Sequence, residues 1–280
     1  SVSVRLILEK EREIQTFQSE PSFVVSAEFV TANGKIVKAK LSKNFSTQAQ
    51  AEDFLKKNIG AQFKVADLET KPTKKTPAAP FTTSTLQQEA ARKLYFPVGI
   101  TMQLAQRLYE SGLITYMRTD SVNLSKDATE AAQAEIIRSY GKEYSKPRNF
   151  VTKSKGAQEA HEAIRPTDMS RHSVNVDRDQ ARLYDLIWKR TLASQMSDAL
   201  LERTTVKIES DKHSELFSTS GEVIQFEGFL KVYLEGHDDE EEEQEGMLPA
   251  LKVKEALQSQ LITATQRFSR PPSRYTEASL

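Results

Sequence analysis

Gly112-Leu-Ile-Thr-Tyr-Met-Arg-Thr-Asp-Ser121 places a tyrosine phenol, a guanidinium two residues later and a run of small polar side chains on one short segment. Those groups suit attack on a phosphodiester, which needs a nucleophile in line with the leaving oxygen and positive charge on the non-bridging oxygens. Tyr116 fits the first role and Arg118 the second. A phenol is protonated at neutral pH, so the attack requires a base or a strong positive field. A tyrosine and an arginine this close are a frequent accident, and the pair alone reads as ordinary structure. The ten-residue string is far more specific. It lies just past the end of a helical pattern, where extended backbone would carry Tyr116 and Arg118 on one side.

Two further stretches stand out on either side. Pro80-Phe-Thr-Thr-Ser-Thr-Leu-Gln-Gln-Glu-Ala90 opens a helical pattern, and Ala157-Gln-Glu-Ala-His-Glu-Ala-Ile-Arg-Pro-Thr167 carries His161, one of four histidines. His161 is expected at the start of a short helix cut off by Pro166. By itself it reads as a satisfied surface histidine, and no second histidine stands at zincin spacing.

In this order, the three stretches resemble those of the type IA DNA topoisomerases, the bacterial enzymes in particular, and the resemblance runs from Ser1 to Leu280. It implies that Tyr116 forms a 5′-phosphotyrosine ester with one DNA strand. The ester stores the energy of the cut bond, so that a strand passes through the gate, the break reseals and negative supercoils relax without ATP. No Walker A string occurs in the chain. The resemblance makes Tyr116, Arg118 and His161 catalytic, with His161 contacting or protonating the scissile phosphate. It makes Arg165 a phosphate ligand and Thr119, Asp120, Ser121, Thr83 and Gln87 DNA contacts. The residues alone leave another reading open: Asp120 and Ser121 equally well form a turn ahead of the next helix, and Thr82, Thr83, Ser84 and Gln87 equally well cap one.

The implied fold is mixed α and β and multi-domain: a β-rich arch carrying an inserted all-α domain that holds the tyrosine and lifts to open a gate. The family places a Toprim domain, with the acidic cluster that binds Mg²⁺, ahead of the point matching Ser1. The chain is therefore expected to be a fragment, without an initiator methionine, that binds no metal itself and does not relax DNA alone. The expected partner is DNA, single-stranded segments preferred, met as a monomer in the bacterial cytoplasm at the nucleoid.

Composition agrees in part. With 280 residues, 38% hydrophobic and 28% charged, the chain can bury one core and has room for two. No run approaches the roughly 20 apolar residues of a membrane span, and the start lacks a signal-peptide core. The absence of cysteine rules out disulfides and Cys-ligated zinc within the chain, including the zinc ribbons many bacterial topoisomerases carry. Net charge is zero, which at first argues against a nucleic-acid partner. The acid, however, is concentrated in Glu235-Gly-His-Asp-Asp-Glu-Glu-Glu-Glu-Gln-Glu245, a solvated loop by composition, and the remainder is basic. Lys142, Lys146, Arg148, Lys153 and Lys155 are expected to form a positive approach to the histidine stretch.

Along the chain, residues 1–20 hold an amphipathic helix expected to pack through Val4, Leu8 and Ile14. Residues 21–80 and 201–265 read as a discontinuous β-rich domain. Within it, strands Phe23 to Val30 and Ile36 to Leu41 join across Asn33-Gly34 in an expected type I′ hairpin. A short helix from Gln48 to Asn58 behind Thr47 follows, then a strand from Phe63 to Glu69, and Lys71-Pro-Thr-Lys-Lys-Thr-Pro-Ala-Ala-Pro80 reads as a linker. Residues 81–200 form helices at Leu86 to Leu94, Met102 to Ser111 ending at Gly112, Lys126 to Tyr140 and Arg178 to Ala199, with Tyr184, Leu186 and Trp188 filling core. Strands return at Val206 to Glu209, Glu215 to Thr219, Val223 to Leu234 and Leu261 to Phe268. Residues 266–280 begin a return to the DNA-binding arch, where Arg267, Arg270, Arg274 and Tyr275 are positioned to flank single strands.

Two other functions compete. A tyrosine recombinase or type IB enzyme needs a His-x-x-Arg box ahead of its tyrosine, whereas here His161 and Arg165 follow Tyr116 and are separated by three residues. A non-catalytic single-strand-binding module would stack a base on Tyr116 and hold a phosphate with Arg118.

Overall fold

The computed structural model describes residues 2–150, 161–234 and 248–280. The acidic run Glu235–Glu245, Lys153, Lys155 and the leading residues Ala157–Ala160 of the histidine stretch lie outside the described residues. Among the described residues, six α-helices and six strands alternate in blocks: α1 (Val2–Thr16), β1 (Pro21–Val30), β2 (Ile36–Leu41), α2 (Gln48–Lys57), β3 (Phe63–Lys75), α3 (Thr83–Leu94), α4 (Val98–Glu110), α5 (Lys126–Tyr140), α6 (Arg178–Ser194), β4 (Ala199–Ser210), β5 (Phe217–Phe226) and β6 (Ala256–Phe268). The expected mixed α and β class is what this order shows. Internal contacts divide the chain into two units, one of Ser1–Thr73, Leu201–Ile224 and Glu242–Arg274, the other of Lys74–Leu200, Gln225–Glu241 and Tyr275–Leu280.

The first unit is built on a closed barrel with strand order β1-β2-β5-β4-β3-β6. Closure pairs every strand on both sides and so leaves no open edge. Alternate residues point inward: Val25, Ala27 and Phe29 from β1, Val37, Ala39 and Leu41 from β2, all buried. A barrel this narrow is filled by side chains. Here Phe29 meets Phe63 at 5.0 Å and Phe217 at 5.4 Å between ring centroids. Ala51 and Phe54 of α2 join the same core, with the Thr47 hydroxyl accepting from Gln50 N at the helix start.

The hairpin forms, but with a different turn. Gly34 N donates to Thr31 O and Thr31 N donates to Lys35 O, so three residues, 32–34, make the loop. Gly34 has φ +75°, while Asn33 is not among the positive-φ residues. A type I′ turn needs positive φ at both central positions, and this loop is instead a type I turn closed by a left-handed glycine. The linker also shrinks to residues 76–80, because β3 continues through Pro72 to Lys75, where proline's φ suits extended backbone. The two strands expected between 215 and 234 are one, β5, followed by a 3-10 turn at Gly228–Lys231. No residue of α1 is buried, and Val4 and Leu8, expected on a packed face, are exposed.

The second unit packs its helices around α6. Leu183, Tyr184, Ile187, Trp188 and Leu192 are buried, as the sequence led us to expect for Tyr184, Leu186 and Trp188. Their polar ends are satisfied: Trp188 Nε1 donates to Met169 O at 3.0 Å and the Tyr184 hydroxyl to Arg171 O at 2.7 Å. Burial pushes the Tyr184 phenol up to about 12.

Candidate active site

The loop that bears Tyr116 starts at a helix end built to reverse the chain. After α4, Gly112 takes φ +70°, Gly112 N donates to Tyr109 O, and Leu113 N donates to Leu108 O. These paired bonds are a Schellman cap, which satisfies the last carbonyls of the helix and needs the left-handed conformation glycine adopts freely. Buried Leu113 and Ile114 then anchor the strand-like segment that follows.

Here the three sequence stretches meet. Ile114 bridges to Pro166, and Phe81 bridges to Ile164. Thr115 N donates to Arg165 O at 2.9 Å, Thr167 N to Leu113 O at 3.0 Å, and the Thr167 hydroxyl to Gly112 O at 2.7 Å. Across the other flank, the Thr83 hydroxyl donates toward Met117 O at 2.8 Å and Thr119 O at 3.1 Å, and accepts from Thr119 N at 2.8 Å. The loop is held from both sides by backbone and threonine bonds.

The segment is not a regular strand, yet its residues alternate. Tyr116, Arg118 and Asp120 are exposed, Tyr116 by 48%, while Met117 (4%), Thr119 (9%) and Ser121 (1%) are buried. The phenol, the guanidinium and the carboxylate therefore share the open side. Thr119 and Ser121 face the other way: the Thr119 hydroxyl accepts from Ser121 N and the Ser121 hydroxyl from Asn123 N. These bonds form the turn that leads to Ser125, whose hydroxyl caps α5. In this arrangement Thr119, Ser121 and Thr83 hold the loop, and burial keeps the Thr119 and Ser121 side chains from the surface a nucleic acid would meet. Gln87 lies half-buried on α3, behind the capping box of Thr82 and Thr85.

The described part of the histidine stretch, His161–Thr167, is extended where a helix was expected, because Ile164 and Pro166 are drawn into bridges with Phe81 and Ile114. His161 is exposed and has no hydrogen-bond partner among the described residues. Beside it, the Arg165 guanidinium forks onto Glu162, Nε to Oε1 at 3.2 Å and Nη2 to Oε2 at 2.8 Å, and Glu162 Oε1 also accepts from Ser125 N at 2.7 Å. Burial alone would push the Glu162 carboxyl up, but the bonds from Arg165 and Ser125 outweigh it and hold it below the ordinary glutamate value. Arg165 thus has a carboxylate partner already.

The expected basic approach is partly structural. Arg148 and Lys146 both pair with buried Asp198, at 2.6 Å and 2.8 Å. The Asp198 carboxyl is pushed up by burial and more strongly down by these two cations, for a net lowering. Sequence reading missed Tyr109, whose ring meets that of Tyr116. The available signal was its place three residues before the glycine that turns the chain back. Among the described residues, no three His, Asp or Glu side chains converge as metal ligands.

The family model described as "DNA topoisomerase" matches residues 1–280. The chain belongs to the DNA topoisomerase family. It is 44% identical over 295 residues to a protein named DNA topoisomerase 1 from Zymomonas mobilis, covering all of this chain and 24% of that protein. A DNA topoisomerase 1 from Rickettsia bellii is 42% identical over 303 residues, covering all of this chain and 38% of the relative. The structure of full-length topoisomerase I from Thermotoga maritima aligns with a TM-score of 0.80 and 30% identity, covering 99% of this chain and 45% of that one. The resemblance to type IA topoisomerases drawn from the three motifs is borne out along the whole topoisomerase chain. This chain spans about a quarter to two fifths of the length of the curated relatives it matches. Among the described residues, no helix is long and apolar enough to cross a membrane.

Proposed function

We propose that the chain supplies the nucleophile of type IA strand cleavage, acting within a protein of its relatives' full length. The observation that carries this reading is the interlocking of the three stretches, which leaves Tyr116 and Arg118 exposed on one side of a loop held at both flanks. The Tyr116 oxygen attacks the phosphorus of a DNA phosphodiester. A bond from the phenolic oxygen to phosphorus forms, the bond to the 3′ oxygen breaks, and the phenolic proton is balanced by protonation of the departing 3′ hydroxyl. Arg118 stabilises the charge on the non-bridging oxygens, and exposed His161 contacts the same phosphate. Reversal by the 3′ hydroxyl reseals the strand without ATP, after passage of a second strand.

DNA, preferentially single-stranded, is the partner, met by a monomer in the cytoplasm at the nucleoid. Arg165, Asp120 and Gln87 are the further DNA contacts in this reading. Mg²⁺ serves the complete enzyme from ligands other than these side chains, and no step above passes through it. Residues 1–280 alone bind single strands weakly, with an affinity that falls steeply with salt, and do not relax supercoiled plasmid.

The test uses the full natural polypeptide carrying these residues and a labelled single-stranded oligonucleotide. After denaturation, the wild type retains DNA joined through a 5′ phosphate, and Tyr116→Phe retains none while still binding. An adduct through a 3′ phosphate points to recombinase-type chemistry, and no adduct at all points to simple binding; either sinks the proposal.

A further inference from the structure

Two threonine hydroxyls bracket Tyr116 and Arg118. On the upstream side, Thr115 Oγ1 donates to Ala163 O at 2.7 Å and accepts from Arg165 N at 2.9 Å. On the downstream side, Thr83 Oγ1 gives its proton to the Met117 and Thr119 carbonyls and accepts from Thr119 N, while Thr83 N donates to Thr119 O at 2.9 Å. A hydroxyl has one proton and two lone pairs, and both kinds of group are committed here to backbone.

Neither anchor is loose. Thr83 is the first residue of α3 and follows Thr82, whose hydroxyl and backbone are locked to Thr85 in a capping box. Leu86, Glu89 and Ala90 bury the next turns of that helix. Thr115 fastens the loop to Ala163–Arg165, which is itself tied to Phe81 and Asn123. The Tyr116–Arg118 backbone is therefore suspended between a helix start and the histidine stretch. Turning one peptide in it would carry an exposed side chain to the buried face.

We infer that Thr83 and Thr115 are positioning residues, which set the relative placement of the Tyr116 phenol and the Arg118 guanidinium before DNA arrives. The inference rests on the assignment of Tyr116 as nucleophile. Misplacing a reacting group by about 1 Å costs about a hundredfold in rate. The surface offered to DNA hardly changes. The signature of lost positioning is thus a slower chemical step at saturating DNA, with unchanged affinity.

Valine keeps the shape of threonine and removes the hydroxyl. In the full natural polypeptide, Thr83→Val and Thr115→Val are expected to form the covalent adduct about ten- to a hundredfold more slowly in single turnover at saturating oligonucleotide. Affinity, measured in a Tyr116→Phe background where nothing is cut, stays at its reference value, and Thr83→Ser and Thr115→Ser recover most of the rate. Thr83→Val combined with Arg118→Lys costs less than the product of the single effects, because the threonine acts through the arginine's placement. Should a valine variant not fold, Thr83→Ala takes its place, read well below its melting temperature. Wild-type rates in the variants lacking the hydroxyl overturn the inference. So does weaker binding with an unchanged rate, which would make Thr83 a DNA contact. An adduct that persists in Tyr116→Phe instead sinks the nucleophile assignment, whatever the threonines do.

Discussion

The ring of Tyr109, on the last turn of α4, meets the ring of Tyr116 edge to face, with centroids 5.2 Å apart and planes at 66°. Both rings remain over 40% exposed, so each restrains the other without a core behind it. Such pairs contribute about 0.5–1.5 kcal/mol beyond area burial, which corresponds to about two- to twelvefold in rate if Tyr109 holds the reactive rotamer. Tyr109→Ala is expected to slow adduct formation by that factor, and Tyr109→Phe to leave it nearly intact. Single-turnover cleavage of a labelled oligonucleotide reads both, and equal rates in all three proteins would detach Tyr109 from the chemistry.

Arg118 is exposed next to Tyr116, and its role in the proposal depends on a planar fork as well as on charge. Arg118→Lys keeps the charge and loses the fork. The loss should match that of one transition-state donor, about 2.7–4 kcal/mol or 10²–10³ in rate. Cleavage and binding measured side by side separate this from a weaker DNA grip, which would raise the dissociation constant and spare the rate.

Two glycines share left-handed backbone but differ in what surrounds them. A Cβ on Gly34, φ +75°, meets no atom within 4 Å, whereas one on Gly228, φ +51°, would lie 2.3 Å from Asp198 O and 2.5 Å from Ser197 O. Gly34→Ala carries only the conformational penalty, about 1–2 kcal/mol. Gly228→Ala must also displace the backbone that accepts from Phe229 N, and should stand at the severe end of single substitutions, about 3 kcal/mol or more. Denaturant unfolding of the two variants should rank them in that order, and similar losses would contradict the packing around Gly228.

Acid should destabilise the helical unit through three carboxylates. Glu135, Glu162 and Asp198 are each pushed up by burial and more strongly down by hydrogen-bonding and cationic partners, so their folded values lie below the ordinary 4.5 and 3.8. A depressed carboxylate adds stability that is complete above its unfolded value and is lost as pH falls through its folded one. The unfolding midpoint should hold from pH 7 to about pH 5 and drop below that. Asp198→Asn should cost about 1.5–3 kcal/mol at pH 7, because Arg148 and Lys146 lose a charged acceptor, and it should flatten the acid limb. An unchanged acid limb in that variant would remove Asp198 from the account.

Much of this was legible in the chain itself. Helix α5 has the bounds read from the sequence, Lys126 to Tyr140, Gly112 ends α4 in the reversal expected of a glycine past a helical run, and the β-rich runs of the hairpin become β1 and β2. These features follow from local chemistry: side-chain period, cap hydroxyls and the freedom of glycine at positive φ. The hairpin's position was equally local, but its loop length depended on register across β1 and β2, which pairs Val30 with Ile36.

What only the tertiary structure decided is where residues distant in sequence share their hydrogen bonds. Nothing local to His161–Thr167 announces extended backbone; it follows from pairing with Phe81 and Ile114, over 80 and 50 residues away. Nothing local to Thr83 distinguishes a helix cap from a phosphate ligand or a clamp on Met117 and Thr119, since one hydroxyl can serve any of these. The sequence by itself determined which groups this topoisomerase chain can offer to the proposed reaction, because Tyr116, Arg118 and His161 are matters of residue type. The tertiary structure decided which hydroxyls and carboxylates near them are already used, because a buried donor or acceptor takes whichever partner folding brings within about 3 Å.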